Sequence, residues 1–411
     1  MRALMEGKMR PFEGVKIVDF TWVGVGPLTV NYLNFYGATA IKVESSRRPD
    51  PQRFTSPFRH GVIGPETSYY FQHAHPTKCM DITLNLNLPK AREIAKRLVV
   101  WADIVAESFI PGTMEKWGLG YEDLKKIKPD IIMFRTCMQG QTGPSAKQPG
   151  LGLVLVALSG FVEIMGWPDR PPCGFSSAFT DFIAPLFNAT SLMAALNYRR
   201  RTGKGMCLDI SQHEAVLHCI GPLILDSVVN RREPVRSGNR LAYAAPHGMY
   251  RCKGDDRWCA IAVFTDDEWK SFCRVIGNPA WTKDSQFNTF LGRKQNEDEL
   301  DRFIEEWTSQ HPPEEVMTLL QRAGVGAGVA SNIKDMYDDP QLNHYQLFGK
   351  LEHPHFGNEP FYYPPGFTLS KAPYERARPP ILGEYNEYVY TKILGIPDEE
   401  FVQLMEEGVF E

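Results

Sequence analysis

The chain has 411 residues, 43% hydrophobic and 23% charged, which is enough to bury a large core and to divide into more than one domain. A formal charge of −4 with a pI near 6.2 excludes the overall basic field that drives sequence-independent nucleic-acid binding, so no nucleic-acid partner is expected. Eight cysteines without a CxxC pair, and a start (MRALMEGKMR) without an apolar signal core, point to a reducing cytoplasm.

In chain order, Val15 to Phe20 reads as a buried strand, Leu28 to Tyr36 as a helix and Ala38 to Val43 as the next strand, one βαβ unit. Ala91 to Ala102 reads as a helix leading into the strand Asp103 to Glu107, and Tyr121 to Lys126 as a helix before the strand Ile131 to Arg135. The most apolar stretch, Leu151 to Trp167, is broken by Ser159, Gly160 and Glu163 and is too short to span a bilayer, so no membrane segment is expected. A long apolar helix follows from Phe182 to Tyr198, ending in Arg199, Arg200 and Arg201 before Gly203, which is ordinary helix termination. Asn188-Ala189-Thr190 inside it matches a glycosylation sequon by chance. Met206 to Ile210 is a strand. Beyond a polar, turn-rich stretch come Tyr243 to Gly248, the strand Trp258 to Phe264, and helices over Asp266 to Ile276 and Asn296 to Ser309. The tail from about His344 is rich in Pro, Tyr and Phe and closes with an amphipathic helix, Asp398 to Gly408. The expected organisation is a large α/β domain over 1–220, a linker over 221–235, a small domain over 236–335, and a return segment over 336–411 that packs on the large domain.

Gly24-Val25-Gly26-Pro27 lies between a strand and a helix, with Glu44 at the end of the next strand, about where an acid binds a ribose hydroxyl in dinucleotide folds. The third glycine of that fingerprint is replaced by Thr29, and Pro27 suits the first position of a helix, so NAD is not expected. A helix N-terminus facing a phosphate remains open. The close histidine pairs, His73 with His75, His213 with His218 and His353 with His355, lack metal-site spacing, and no metal is expected. There is no Gly-x-Ser-x-Gly elbow and no Walker loop, which removes hydrolase and NTPase readings.

Several segments together resemble the class III coenzyme A-transferases, the formyl-CoA transferase-like family that also holds carnitine transferases and α-methylacyl-CoA racemases. They are Lys16-Ile17-Val18-Asp19-Phe20, Gly26-Pro27, Gly37-Ala38 with Ile41-Lys42-Val43-Glu44, and Ala102 to Phe109 running into Pro111-Gly112 and Trp117 to Tyr121. Gly140-Gln141-Thr142-Gly143-Pro144 and Pro379-Pro380-Ile381-Leu382-Gly383-Glu384 complete the series in the family's order. The resemblance implies a Rossmann-type large domain with a parallel sheet, a small α+β domain, and two chains interlocked as rings. It also implies coenzyme A or an acyl-CoA as substrate. The positions matching the family's CoA-binding segments are Val23, Gly24, Ser45, Ser108, Lys116, Gln139 and Gly140. Gly24 stands where glutamine is usual, Ser45 and Lys116 where arginine can stand, and Ser108 where asparagine is common. Lys116 also suits a solvated helix face, and Lys42 and Glu44 can pair at a strand end. His247 and Gly248 match a small-domain segment that reaches toward the active site in the family.

The family reaction passes through an acyl anhydride on an aspartate, which attacks the thioester carbonyl and splits one hard step into two. The matching run here is Pro149-Gly150-Leu151-Gly152-Leu153 onward to Ser159-Gly160, with Gly152 at the nucleophile position and no carboxylate between Leu151 and Phe161. Loss of a covalent nucleophile commonly costs on the order of 10⁴ to 10⁶ in rate. One expectation is therefore a non-nucleophilic subunit of a heteromeric CoA-transferase, paired with a homologous subunit that carries the aspartate. Resemblance to heteromeric members of the family that lack the aspartate in one subunit implies that it would move CoA from succinyl-CoA to an aromatic dicarboxylic acid such as benzylsuccinate. The alternatives are a catalytically inactive acyl-CoA-binding homodimer and an acyl-CoA racemase-like enzyme. In the racemase branch a histidine precedes the aspartate position, where this chain has Leu151, and a later acid carries the opposite proton, a placement that Asp181 matches. Asp181 otherwise reads as the cap of the helix starting at Phe182.

Overall fold

The computed structural model describes residues 10–75, 79–175, 177–354, 356–362 and 377–411. The extreme N-terminus and His355 lie outside them. Two compact units are present: one takes in residues up to 162, 174–232 and 346 to the end, and the other 163–173 and 233–345. The second unit thus includes a short excursion between 163 and 173, and the helix Gly221–Asn230 stands where the sequence suggests a linker.

The larger unit is built on a parallel sheet of β1 (Lys16–Asp19), β2 (Thr39–Glu44), β3 (Cys79–Thr83), β4 (Ile104–Glu107), β5 (Ile132–Cys137) and β6 (Met206–Ser211) in the order β3-β2-β1-β4-β5-β6. Every pairing is parallel, with Val18 opposite both Ile41 and Val105. The order reverses between β1 and β4, the switch point at which open α/β sheets place their ligands. Apolar side chains alternate between two covered faces, as a parallel sheet requires. On one face Val18, Ile41, Ile82, Val105 and Met133 pack on the helix Pro89–Trp101 and on Val389, Tyr390 and Leu404 of the C-terminal segment. On the other, Ile17, Ala40, Ile104, Ile132 and Phe134 meet Val30 and Leu33 of the helix Val25–Phe35 and Leu192 and Ala195 of the helix Phe179–Thr202.

The helix Val25–Phe35 begins two residues before Pro27, which sits in the first turn rather than at the first position, where its missing N–H is equally harmless. The helix Phe179–Thr202 is long and apolar enough to cross a membrane by length and composition alone, yet it is packed into the sheet unit. Its Asn188 is buried, donating to Thr29 Oγ1 at 3.1 Å and Thr136 Oγ1 at 3.3 Å, so the sequon is unavailable in the folded chain. Arg199 closes the helix on Asp103 and Asp130 at 2.8 and 2.7 Å, and Gly203 follows with φ +71°.

The smaller unit carries an antiparallel sheet of β7 (His247–Arg251), β8 (Trp258–Ala262) and β9 (Gly326–Val329). Its core gathers Ile261, Trp269, Phe272, Phe287, Leu300, Ile304 and Val316 from the sheet, the helices Asp266–Val275, Glu297–Thr308 and Pro313–Arg322, and the short 3-10 helix Ser285–Phe287. A capping box, Thr265 with Glu268, starts the first of these helices. In the larger unit, β10 (Phe348–His353) and β11 (Gly357–Tyr362) form a hairpin inside the aromatic tail.

An ion network lies beneath the β2 end of the sheet. Lys42, fully buried, binds Asp50 at 3.2 Å and the Thr21 carbonyl at 2.9 Å, so it pairs with Asp50 and not with Glu44. Arg53 donates to Glu44 at 2.7 Å, to Asp81 at 3.0 Å and to Glu66 at 3.2 Å, and its guanidinium lies 3.7 Å from the Phe71 ring centre. Asp81 and Glu66 in turn accept the main-chain N–H groups of Gly383 at 2.7 Å and Leu382 at 3.1 Å, which ties the Pro379 to Glu384 segment to the network. Burial acts to raise Glu44, but Arg53, the hydrogen bond from Asp81 and the charge of Lys42 together outweigh it and hold that carboxyl below the usual range. Burial, with the charge of Glu44 next, pushes Asp81 well up. Replacing Arg53 with methionine leaves these carboxyls buried without their cation. The expected loss is about 3–5 kcal/mol in urea unfolding, with Arg53→Lys in between because an ammonium cannot reproduce the fork. A loss under about 1 kcal/mol for Arg53→Met would contradict a structural role for the network.

Candidate active site

At the carboxyl ends of β1 and β4 the larger unit encloses a cavity of about 620 Å³, within the range of small-molecule sites. Its wall includes Val23, Gly24, Ser45, Ser108, Gly152 and Asp181. Lys116, Gln139 and Gly140 are not on that wall. Lys116 is the exposed last residue of the short helix Thr113–Lys116, and Gln139 accepts from His213 Nδ1 at 2.9 Å. Gly140 makes a turn with φ +86° beside Asp209, which accepts the N–H of Gln141 at 3.0 Å. His247 and Gly248 begin β7 of the smaller unit, where His247 Nδ1 contacts the Asn239 carbonyl oxygen and Gly248 pairs with Ile261.

Each wall residue is held by a specific local device. The Ser108 hydroxyl accepts the Trp22 N–H at 2.8 Å and donates to the Trp22 carbonyl at 3.1 Å, stitching the end of β4 to the end of β1. Val23 has φ +62°, an uncommon conformation for a β-branched residue that costs on the order of 1–3 kcal/mol and survives only where its surroundings impose it. Asp50 imposes it here by accepting the Val23 N–H at 3.1 Å. The Ser45 hydroxyl donates to the main-chain oxygen of Glu411 at 3.0 Å, and Arg47 Nε meets the Glu411 carboxylate at 2.6 Å, so the C-terminal residue closes that side. Gly26 is required by proximity, since a Cβ there would lie 2.4 Å from Thr21 Cβ. Glu44, the acid that a dinucleotide reading sends to a ribose, is held by Arg53 and by the Asp50 N–H at 2.8 Å.

Sequence reasoning missed several wall residues. Trp22, Phe109 and Trp117 form an edge-to-face aromatic series with centroids 5.3 and 5.4 Å apart. Arg48 brings a guanidinium to the wall, 5.7 Å from the Trp22 ring centre. The signal for Arg48 was present in Ser45-Ser46-Arg47-Arg48 directly after β2, where one cation two or three residues beyond Ser45 supplies the charge that Ser45 lacks. Among the described residues no group of three or more His, Cys, Asp or Glu is placed to hold a metal.

Gly152 is the first residue of the helix Gly152–Leu158. A Cβ at this position would stand 2.3 Å from Ala178 Cβ and 3.2 Å from Asp181 Oδ2, so the backbone as arranged has no room for any side chain. Asp181 does not cap its helix. The helix starts at Phe179 after Ala178, with no side-chain cap, and Asp181 is its third residue with the carboxyl at the cavity wall. Burial pushes that carboxyl up to about 6. His73, whose ring lies 5.7 Å from Phe182, is lowered to about 4 by burial and is neutral near pH 7.

Because the folded state raises the Asp181 carboxyl, it favours the protonated form, and the associated stability is complete below an ordinary aspartate value near 4 and lost as pH rises through 6. The wild-type chain should lose up to ~3 kcal/mol between about pH 3 and about pH 7 relative to Asp181→Asn, whose unfolding free energy lacks this component. Parallel pH profiles of urea unfolding measure it, and superimposable profiles would refute the burial of this acid.

A switch-point cavity with a cation, an aromatic wall and a backbone-lined rim suits an anionic small molecule. Residues 12–386 match the family described as CoA-transferase family III. The chain is 31% identical to a succinyl-CoA–D-citramalate CoA-transferase of Chloroflexus aurantiacus, over 97% of this chain and 98% of that protein. It is 28% identical to the beta subunit of a succinyl-CoA–L-malate CoA-transferase of the same organism, over 97% and 98%. Among solved structures, a CAIB/BAIF family protein from Brucella suis superimposes with a TM-score of 0.86 at 28% identity, covering 94% of this chain and all of that one. With the match running through both units and the cavity at the sheet's switch point, the chain belongs to CoA-transferase family III.

Proposed function

We propose that this chain is the non-nucleophilic subunit of a heteromeric, cytoplasmic CoA-transferase that moves CoA from succinyl-CoA to an aromatic dicarboxylic acid such as benzylsuccinate. A homologous subunit carrying the aspartate is its partner, and the two chains interlock. The observation that carries the reading is Gly152. The position lacks a carboxylate, and the close approach of Ala178 Cβ leaves no space for one. Succinyl-CoA as donor and a dicarboxylic acid as acceptor are supported by relatives named for citramalate and L-malate, one of them a beta subunit. An aromatic acyl group, carried as its CoA thioester, is supported by the aromatic wall of Trp22, Phe109 and Trp117.

A partner chain is supported by apolar residues left at the surface of the larger unit. Leu151 is 73% exposed and Leu153 60% exposed beside Gly152, and Leu225, Val228 and Val229 are exposed on the helix Gly221–Asn230. Exposed apolar surface of this kind marks an interaction site. CoA within the cavity would find Arg48 as its cation and Ser108 and Val23 as the rigid rim. The racemase alternative lacks one of its two proton carriers, since Leu151 stands at the histidine place.

Hydroxylamine trapping during turnover of the co-purified assembly, read by mass on each chain, should place the acyl group on the partner and none on this chain. An acylated residue here sinks the reading, and so does a homodimer of this chain that transfers CoA at ordinary rates. Gly152→Ala should destabilise the fold by about 1–3 kcal/mol, as overpacking does, and Ala178→Gly in the same chain should recover most of that loss. Gly152→Asp should gain no transferase activity in the chain alone. Recovery in the double variant separates the steric cause from a loss of glycine flexibility.

A further inference from the structure

Two glycines on the cavity wall leave a space that a single carboxyl fills. A Cβ on Gly24 would lie 2.8 Å, and a Cβ on Gly152 3.2 Å, from the same atom, Asp181 Oδ2. The cavity's other acid, Glu44, is held by the Arg53 guanidinium, whereas the surroundings of Asp181 contribute burial and a neighbouring Thr180 but no cation. An acid thus stands beside the position from which a nucleophile is missing.

The chemistry of the two possible acyl-end occupants differs in charge. A thioester carbonyl is neutral and accepts a hydrogen bond from a protonated carboxyl. A free carboxylate brings a second acid against Asp181, and since two adjoining carboxyls do not both ionise readily, its entry requires the pair to hold a proton, a cost that the neutral thioester does not meet. We infer that Asp181 is a specificity-determining residue that lets this cavity accept an acyl thioester and keeps out the free carboxylate of the acceptor acid. The chain then holds the thioester form while the free acid is taken up at the partner's site. The inference rests on the proposed reading of the cavity as an acyl-CoA site.

Calorimetric titration of the full-length chain, wild type and Asp181→Asn, tests it with three probes: CoA, acetyl-CoA, and succinate added to the CoA-saturated protein. Asparagine keeps the shape of the side chain and removes its charge. Asp181→Asn should bind succinate at least about tenfold more tightly than wild type, with CoA and acetyl-CoA constants within about twofold. Asp181→Ser provides a second neutral variant, and retained CoA binding reports that each variant is folded. Succinate binding unchanged in both neutral variants, with CoA still bound, overturns the inference and leaves the proposed function standing. Failure of wild type to bind CoA or acetyl-CoA overturns the inference together with the acyl-CoA reading of the cavity. An acyl group trapped on Asp181 overturns both the inference and the proposed function.

Discussion

The guanidinium of Arg53 is bound to three carboxyl groups from separate parts of the chain, and much of the larger unit depends on that one set of bonds. Glu44 ends β2, Asp81 lies in β3, and Glu66 belongs to the connection between them. Asp81 and Glu66 pass the connection on to Gly383 and Leu382, anchoring the C-terminal segment. Asp50 donates its N–H to Glu44, accepts from Lys42, and accepts the Val23 N–H, so the same network reaches the strained residue on the cavity rim. A buried network of this type adds little net stability compared with an apolar core, yet losing one partner is costly because the others are left buried and unpaired. Its consequence here is geometric: the rim is fixed before any ligand arrives.

The position of the cavity follows from the sheet order and not from any single residue. Reversal between β1 and β4 sends the loops after those strands in opposite directions and opens a crevice at their ends. Ser108 then joins the two loops through Trp22. Within that crevice the replacements at Gly24 and Gly152 act together, because both yield space to the carboxyl of Asp181. The chain is a CoA-transferase family III member whose cavity wall brings Gly24 and Gly152 against the half-buried carboxyl of Asp181 on a neighbouring helix.

Periodicity exposed most of the strands and helices of the larger unit, since parallel strands buried on both faces leave short β-branched runs, as in Lys16–Asp19 and Ile104–Glu107. It did not expose β3, whose Cys79-Met80-Asp81-Ile82-Thr83 carries a buried acid that interrupts the apolar signal. That acid is explained by Arg53, 28 residues away in sequence. The hairpin of β10 and β11 escaped for a related reason. Its residues are only partly apolar, and it belongs to the larger unit through contacts that sequence spacing does not encode.

The sequence by itself determined the family, through motifs spread along nearly the whole chain, and that position 152 is a glycine, which has no side-chain atom with which to form an anhydride. It also located Val23, Gly24, Ser45, Ser108 and Asp181, which the fold gathers on one wall. Only the tertiary structure decided that Lys116, Gln139 and Gly140 stand off that wall, and that Arg48 is the cation upon it. Only the tertiary structure, likewise, showed that Asp181 turns into the space vacated by two glycines instead of capping its helix. Residue type sets what a side chain can do chemically. Which neighbours leave it room is set by backbones that approach one another from distant parts of the chain, and local sequence carries no record of that approach.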